Sequence, residues 1–222
     1  MYKRALFLLF IALVFQGLHL TATASSRQSF TGAAVIREMN LARESPARYA
    51  TYLQAMRGNF QGDVFRLPSG AFLRTREGVS AVDEAVRFLR TAQPLGPLTV
   101  SPGMSHAAAD HVRDQADGSF GHGGSDRSNP AARLIRYGTW SGLWGENISY
   151  GKSTARDIVM ALIIDDGQRA RKHRKNIFNP AFNFGGAAVG PHARYRTVCS
   201  IEFAGGYAER GESASEPLFA RN

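Results

Sequence analysis

Apolar residues recur at helical spacing along the first half of the chain and alternate along its last third. Val35, Ile36 and Met39 open one helix, which should stop near Glu44. Ser45-Pro46 then supplies an N-cap and a first-turn proline for a second helix carrying Tyr49, Leu53 and Met56. Residues 58–78 keep no period and are expected to form a long surface segment. Ser80 and Asp83 resemble a capping box ahead of Val82, Ala85, Val86 and Leu89, an amphipathic set that Pro94 and Pro97 bring to an end. Ser101-Pro102 starts the next helix, through about Ala116, with Met104, Ala107, Ala108, His111 and Val112 on its inner side.

Beyond Gly118 the chain turns Gly- and Ser-rich around Phe120-Gly121-His122-Gly123-Gly124-Ser125-Asp126. A short helix over 131–137 should stop at Gly138. Residues 143–150, 186–190 and 195–203 read as strands, the last two as an antiparallel pair across 191–194. Between the first strand and that pair lies a helix over 154–166. Its apolar positions Ala155, Ile158, Val159 and Leu162 place Asp166 next on the inner face, with Asp165 beside it. A carboxylate ending a core stripe needs a partner. No internal repeat interrupts this order, and the layout is α+β, helices first and a small sheet assembled late.

The N-terminus carries a different pattern. Lys3 and Arg4 precede an unbroken apolar run over 5–15, and Ala22-Thr23-Ala24 offers a small-residue cleavage site, so residues 1–24 are expected to be an export signal. The run is too short to span a bilayer comfortably, and no transmembrane span is expected after cleavage. Removal of Lys3 and Arg4 takes the basic residues from 27 to 25 against 18 acids, so the formal charge falls from +9 to +7. That balance suits contact with anionic surfaces such as envelope polymer or lipid head groups, although a basic exported protein without a dedicated polyanion site is the plainer reading, and no nucleic-acid partner is expected. Cys199 is the only cysteine of the chain, which excludes an intramolecular disulfide, and its alternating surroundings make it a packed small hydrophobe.

Several local motifs fail on spacing. Residues 145–153 imitate a phosphate-binding loop ending Gly151-Lys152-Ser153, but five residues separate the glycines and the first of them is Glu146. The run 151–155 and His122-Gly123-Gly124 approach the elbow and oxyanion loop of an esterase, whose long parallel sheet this chain has no room for. His106 and His111 are five apart and lie on different helix faces, against the four-residue spacing of a zinc protease. What remains is a non-local set: His122, Glu146, Asp165 or Asp166, and His173. Two imidazoles and two carboxylates hold a divalent ion, satisfy one another as a buried network, or serve as separate surface and capping groups; spacing does not choose among these.

Four motifs taken together carry a resemblance. Phe120-Gly121-His122, Ala132-Arg133-Leu134-Ile135-Arg136-Tyr137-Gly138, Gly145-Glu146-Asn147-Ile148 and His173-Arg174-Lys175-Asn176-Ile177-Phe178-Asn179-Pro180 resemble, in that order, the CAP superfamily of cysteine-rich secretory, antigen 5 and pathogenesis-related proteins. The likeness is greatest to its disulfide-free bacterial branch and spans 35–207, leaving 25–34 as a polar tail and 208–222 as a loose C-terminal one. It implies a three-layer α-β-α sandwich and a cleft lined by two histidines and two acids: His122, Glu146, His173 and, three residues after Ile163 at a position often held by Trp, Asp166, with Asp165 a close rival. It further implies a secreted or periplasmic protein whose cleft binds zinc or another divalent metal and recognises a ligand or envelope component. Two alternatives follow from it: a metal-dependent hydrolase with Glu146 as general base, and a lipid- or sterol-binding protein. The turn 168–172 before His173 is longer and more basic than the family's common form.

Overall fold

The computed structural model describes residues 30–67 and 70–211. The expected export signal and the chain beyond 211 lie outside them. Helix α1 (Gly32–Glu44) begins three residues before the first expected apolar position because Thr31 caps it, its side chain accepting from the N–H of Ala34. Helix α2 (Pro46–Arg57) starts at the expected proline. Residues 58–78 depart from the expected featureless segment. They hold β1 (Phe60–Gln61), β2 (Val64–Arg66) and β3 (Phe72–Arg74), a small antiparallel sheet. Strands of two or three residues are too short for alternation to register as a pattern.

Helix α3 (Val79–Thr91) is capped at Gly78 and not at Ser80. The Ser80 hydroxyl donates to the Glu77 carbonyl inside the first turn, and Asp83 pairs with Arg57 across to α2, so no capping box forms. After β4 (Thr99–Val100), Ser101 caps α4 (Pro102–Asp114) by accepting from the N–H of Met104. Helix α5 (Pro130–Tyr137) runs straight into β5 (Gly138–Tyr150); Gly138 is extended and opens the strand where a left-handed stop was expected. Helices α6 (Ala155–Ile164) and α7 (Lys172–Ile177) and strands β6 (Phe184–His192) and β7 (Arg196–Glu209) complete the chain, β7 reaching past the expected domain end at 207.

The main sheet has the order β4-β6-β7-β5, with β6–β7 and β7–β5 antiparallel and β4–β6 parallel. Alternate residues of β7 decide the layers. Cys199, Ile201 and Phe203 pack into a core shared with Ile36 and Met39 of α1, Leu53 of α2, Leu89 of α3 and Ile163 of α6. Val198 and Ala204 face the other way, among Val112, Met104 and Ala107 of α4 and Leu134 of α5. Ser200 and Glu202 share the second parity and are fully buried beneath α4 and α5. Helices therefore cover both faces of the sheet, the three-layer α-β-α sandwich expected.

Two glycines permit this close layering. A Cβ on Gly32 would lie 1.8 Å from the Ala187 carbonyl oxygen, and one on Gly186 2.4 Å from the Met104 carbonyl carbon. Strand β6 is thus pinned between α1 and α4 with no side chain at either contact.

Candidate functional site

Strand β5 is one edge of the sheet, opposite β4, and the candidate residues gather around it. Glu146 projects from β5 opposite Glu202 of β7. Its Oε2 accepts from Arg133 Nη2 of α5 at 2.8 Å and from Ser200 Oγ at 3.1 Å, and its Oε1 faces His122 Nδ1 at 2.6 Å. Arg133 and Glu146 are both closed to solvent. The same guanidinium donates from Nη1 and Nη2 to the His122 carbonyl, each at 3.2 Å, so one buried arginine fixes both the carboxylate and the loop that carries the imidazole. Burial pushes the Glu146 carboxyl up, but the hydrogen bond from His122, the contact with Glu202 and the charge of Arg133 outweigh it and hold Glu146 below the usual range. An ionised carboxylate only accepts, so Nδ1 of His122 carries the proton. That bond raises His122 above its ordinary value against the pull of burial. Burial, then the neighbouring charge of Glu146, pushes Glu202 well above its ordinary value.

The second imidazole is placed by a local device. Helix α6 ends at Asp165, whose left-handed backbone (φ 54°, ψ 46°) turns the chain out of the helical spiral. The turn redirects the two acids against the expectation. Asp165 points inward: its Oδ2 accepts the backbone N–H of His173 at 2.9 Å and its Oδ1 faces His173 Nδ1 at 2.6 Å. Asp166, expected as the fourth residue of the cleft, instead accepts the backbone N–H groups of Arg76 and Glu77 at 2.7 and 2.8 Å, tying the turn to the segment before α3. Helical extrapolation past Leu162 failed because the helix stops two residues before Asp166. Helix α7 is then docked on the edge strand: Asn147 Nδ2 donates to the His173 carbonyl at 3.0 Å, and Asn176 Nδ2 to Asn147 Oδ1 at 2.8 Å. Arg174 secures its far side, donating to the Ile163 carbonyl and to Glu84.

His122, Glu146 and His173 line one cleft of about 500 Å³, with Gln168, Lys172, Lys175 and Asn176. Asp165 stands behind His173, and Asp166 is not in the wall. Both rings present the same face to protein: Nδ1 is engaged by a carboxylate, while Nε2 of neither ring has a hydrogen-bond partner among the described residues. Among those residues, no cluster of three or more His, Cys, Asp or Glu side chains is set to hold a metal ion. The donors available in the cleft are the two imidazoles.

Residues 84–203, over half of the chain, match the family model described as the cysteine-rich secretory protein family, CAP. The chain belongs to this family. Over 109 residues it is 32% identical to the uncharacterized protein YkwD of Bacillus subtilis, a stretch covering 47% of this chain and 40% of that protein. The chain thus matches well under half of that relative's length. Two solved structures are similar at lower identity. One is an extracellular protein containing an SCP domain from Bacillus anthracis, 19% identical, with TM-score 0.40, covering 57% of this chain and 37% of that one. The other is a cysteine-rich secretory protein from Staphylococcus aureus, 15% identical, with TM-score 0.37, covering 58% and 38%.

In this CAP domain several residues that build the cleft escaped the sequence reading. Arg133 lies within the motif 132–138, whose residue pattern gives it no role. Ser200 and Glu202 carried a signal in their parity, since two polar residues on alternate positions of an apolar strand must face a buried polar partner. Asn147 and Asn176 left none, because the contact between them joins β5 to α7 across 29 residues of sequence. Of the other candidates, His106 is exposed and His111 is buried, its Nε2 against the Gly121 carbonyl at 2.8 Å. Cys199 is buried in the core, where burial pushes its thiol up and keeps it unreactive. Among the described residues, no helix is long and apolar enough to cross a membrane.

Proposed function

We propose that this CAP domain is an exported binding protein whose cleft takes up a divalent metal, zinc by donor type, through Nε2 of His122 and Nε2 of His173. One observation carries the reading: each ring turns Nδ1 to a carboxylate and both rings line one cleft. A carboxylate on Nδ1 fixes the tautomer, orients the ring and makes Nε2 a better donor. In this reading Glu146 and Asp165 orient the ligands and do not themselves ligate, which revises the expected set of His122, Glu146, Asp166 and His173. A bound metal would supply a Lewis-acid centre with positions left for ligand. Export rests on the N-terminal pattern of residues 1–24.

The binding reading is favoured over a hydrolase because Glu146, the candidate general base, is enclosed by His122, Arg133 and Ser200 and closed to solvent. A lipid tail or sterol fits this cleft poorly, since none of its lining side chains is apolar. The test is thermal: chelator should lower the melting temperature of mature protein and added zinc restore it, by linkage of binding to folding. An unchanged melting temperature across chelator and zinc would remove the metal from the account.

A further inference from the structure

The basic stretch 171–175 divides its lysines and arginines between two uses. Arg171 is paired with Glu77 and Glu84, its Nη1 reaching Glu77 Oε1 at 2.6 Å, and Arg174 is buried against Glu84. Both guanidiniums are committed to holding α7 against α3. Lys172 and Lys175, three residues apart and so on one side of α7, are exposed, their ammonium groups have no ion pair or hydrogen bond among the described residues, and both line the cleft with the two histidines. The acids near them are withdrawn: Glu146 and Asp165 have almost no exposed side-chain surface and are engaged by His122, Arg133 and His173. The mouth of the cleft therefore presents two free ammonium groups and the side-chain amide of Gln168, while its negative charge lies at the back, already paired.

We propose that the cleft receives a phosphate-like oxyanion, with Lys172 and Lys175 as its binding residues. The inference rests on the reading of this cleft as the ligand site. Ammonium groups on flexible stems bind phosphate as point charges without demanding one geometry, and a concave wall with no apolar side chain among its lining residues suits a compact polar headgroup. The volume of about 500 Å³ exceeds that of a bare phosphate ion, leaving space for the group that bears it. Two ammoniums beside the histidines also repel a lone divalent cation, and a bound oxyanion relieves that repulsion. A phosphate monoester on a lipid surface and one free in solution offer this same chemistry.

The experiment titrates inorganic phosphate into metal-free mature protein, held in chelator at constant ionic strength, followed by calorimetry. Saturable binding about ten-fold weaker in Lys172→Ala and in Lys175→Ala, and unchanged in Arg48→Ala on the exposed face of α2, is the expected result. Absence of saturable binding, or equal weakening in all three variants, overturns the proposal, the latter because it would report only net surface charge. Circular dichroism melts of the three variants establish that each is folded. Phosphatidylcholine vesicles with and without phosphatidic acid then distinguish the source: retention on the phosphatidic acid vesicles, lost in the lysine variants, assigns a lipid headgroup, and phosphate binding without vesicle retention assigns a soluble phosphate. Zinc titration of the lysine variants keeps the two readings apart, since neither lysine is a metal donor and zinc uptake should persist in both.

Discussion

The two histidine–acid pairs reach the same local arrangement, Nδ1 on a carboxylate at 2.6 Å, by opposite routes. His122–Glu146 joins a glycine-rich loop to the edge strand and depends on groups brought together by the whole fold: Arg133 from α5, and Ser200 and Glu202 from β7. His173–Asp165 closes over eight residues and depends on a tight turn in which Asp165, Gly167 and Arg171 all have positive φ. The first pair is embedded in buried charge, the second in a turn. A binding site assembled this way has one half whose acid is anchored through several elements of the fold and another anchored through a single turn.

The largest expected effect breaks the first pair. Arg133→Ala strands the Glu146 carboxylate without its buried counter-charge and also releases the His122 carbonyl, and should cost about 3–5 kcal/mol in denaturant unfolding. Asp165→Ala should cost about 1–3 kcal/mol, since it removes two hydrogen bonds to His173 from an almost fully buried carboxylate, while leaving the sheet intact. Asp166→Ala releases only the backbone N–H groups of Arg76 and Glu77 and should cost about 1 kcal/mol with zinc uptake unchanged. If Asp166→Ala abolished zinc uptake and Asp165→Ala did not, the assignment of the two acids would be reversed.

The smallest effect is one of pH. His122 is raised in the folded state, so its pairing with Glu146 contributes fully below the ordinary histidine value of about 6.5 and fades as pH rises through the raised value. More than half of the His122 side chain is exposed, and solvent screens the gain. An NMR titration of its ring should show the raised pKa fall back toward the ordinary value in Glu146→Gln. A ring that titrates identically in both proteins would separate His122 from Glu146.

These contrasts also mark what the sequence made legible. Helices α1, α3 and α4 were readable because Val35, Val82 and Met104 each belong to a regular stripe, and Pro46 and Ser101 mark the starts of α2 and α4; α7 was not, since its stretch reads only as a basic turn before His173. The small sheet of β1 to β3 was not, since no strand in it is long enough to show alternation. Within the site, His122, Glu146 and His173 sit in motifs that could be read and are brought to one cleft. Asp166 misled because a helical stripe was extended beyond a left-handed residue, and φ at Asp165 is set by the turn that Arg171, Asn147 and His173 complete together. Glu202 left a weaker signal: its strand and its shared parity with Ser200 were visible, but the buried charge it faces is assembled only when α5 brings Arg133 to Glu146.

The most direct test of the account is calorimetric titration of zinc into metal-free mature protein beside His122→Ala and His173→Ala. The account predicts one saturable site per chain, lost in both variants, because each half supplies a single Nε2 and neither suffices. Binding that survives either substitution, or a wild-type protein that takes up no zinc, would contradict it and leave the two pairs as unconnected supports of the fold.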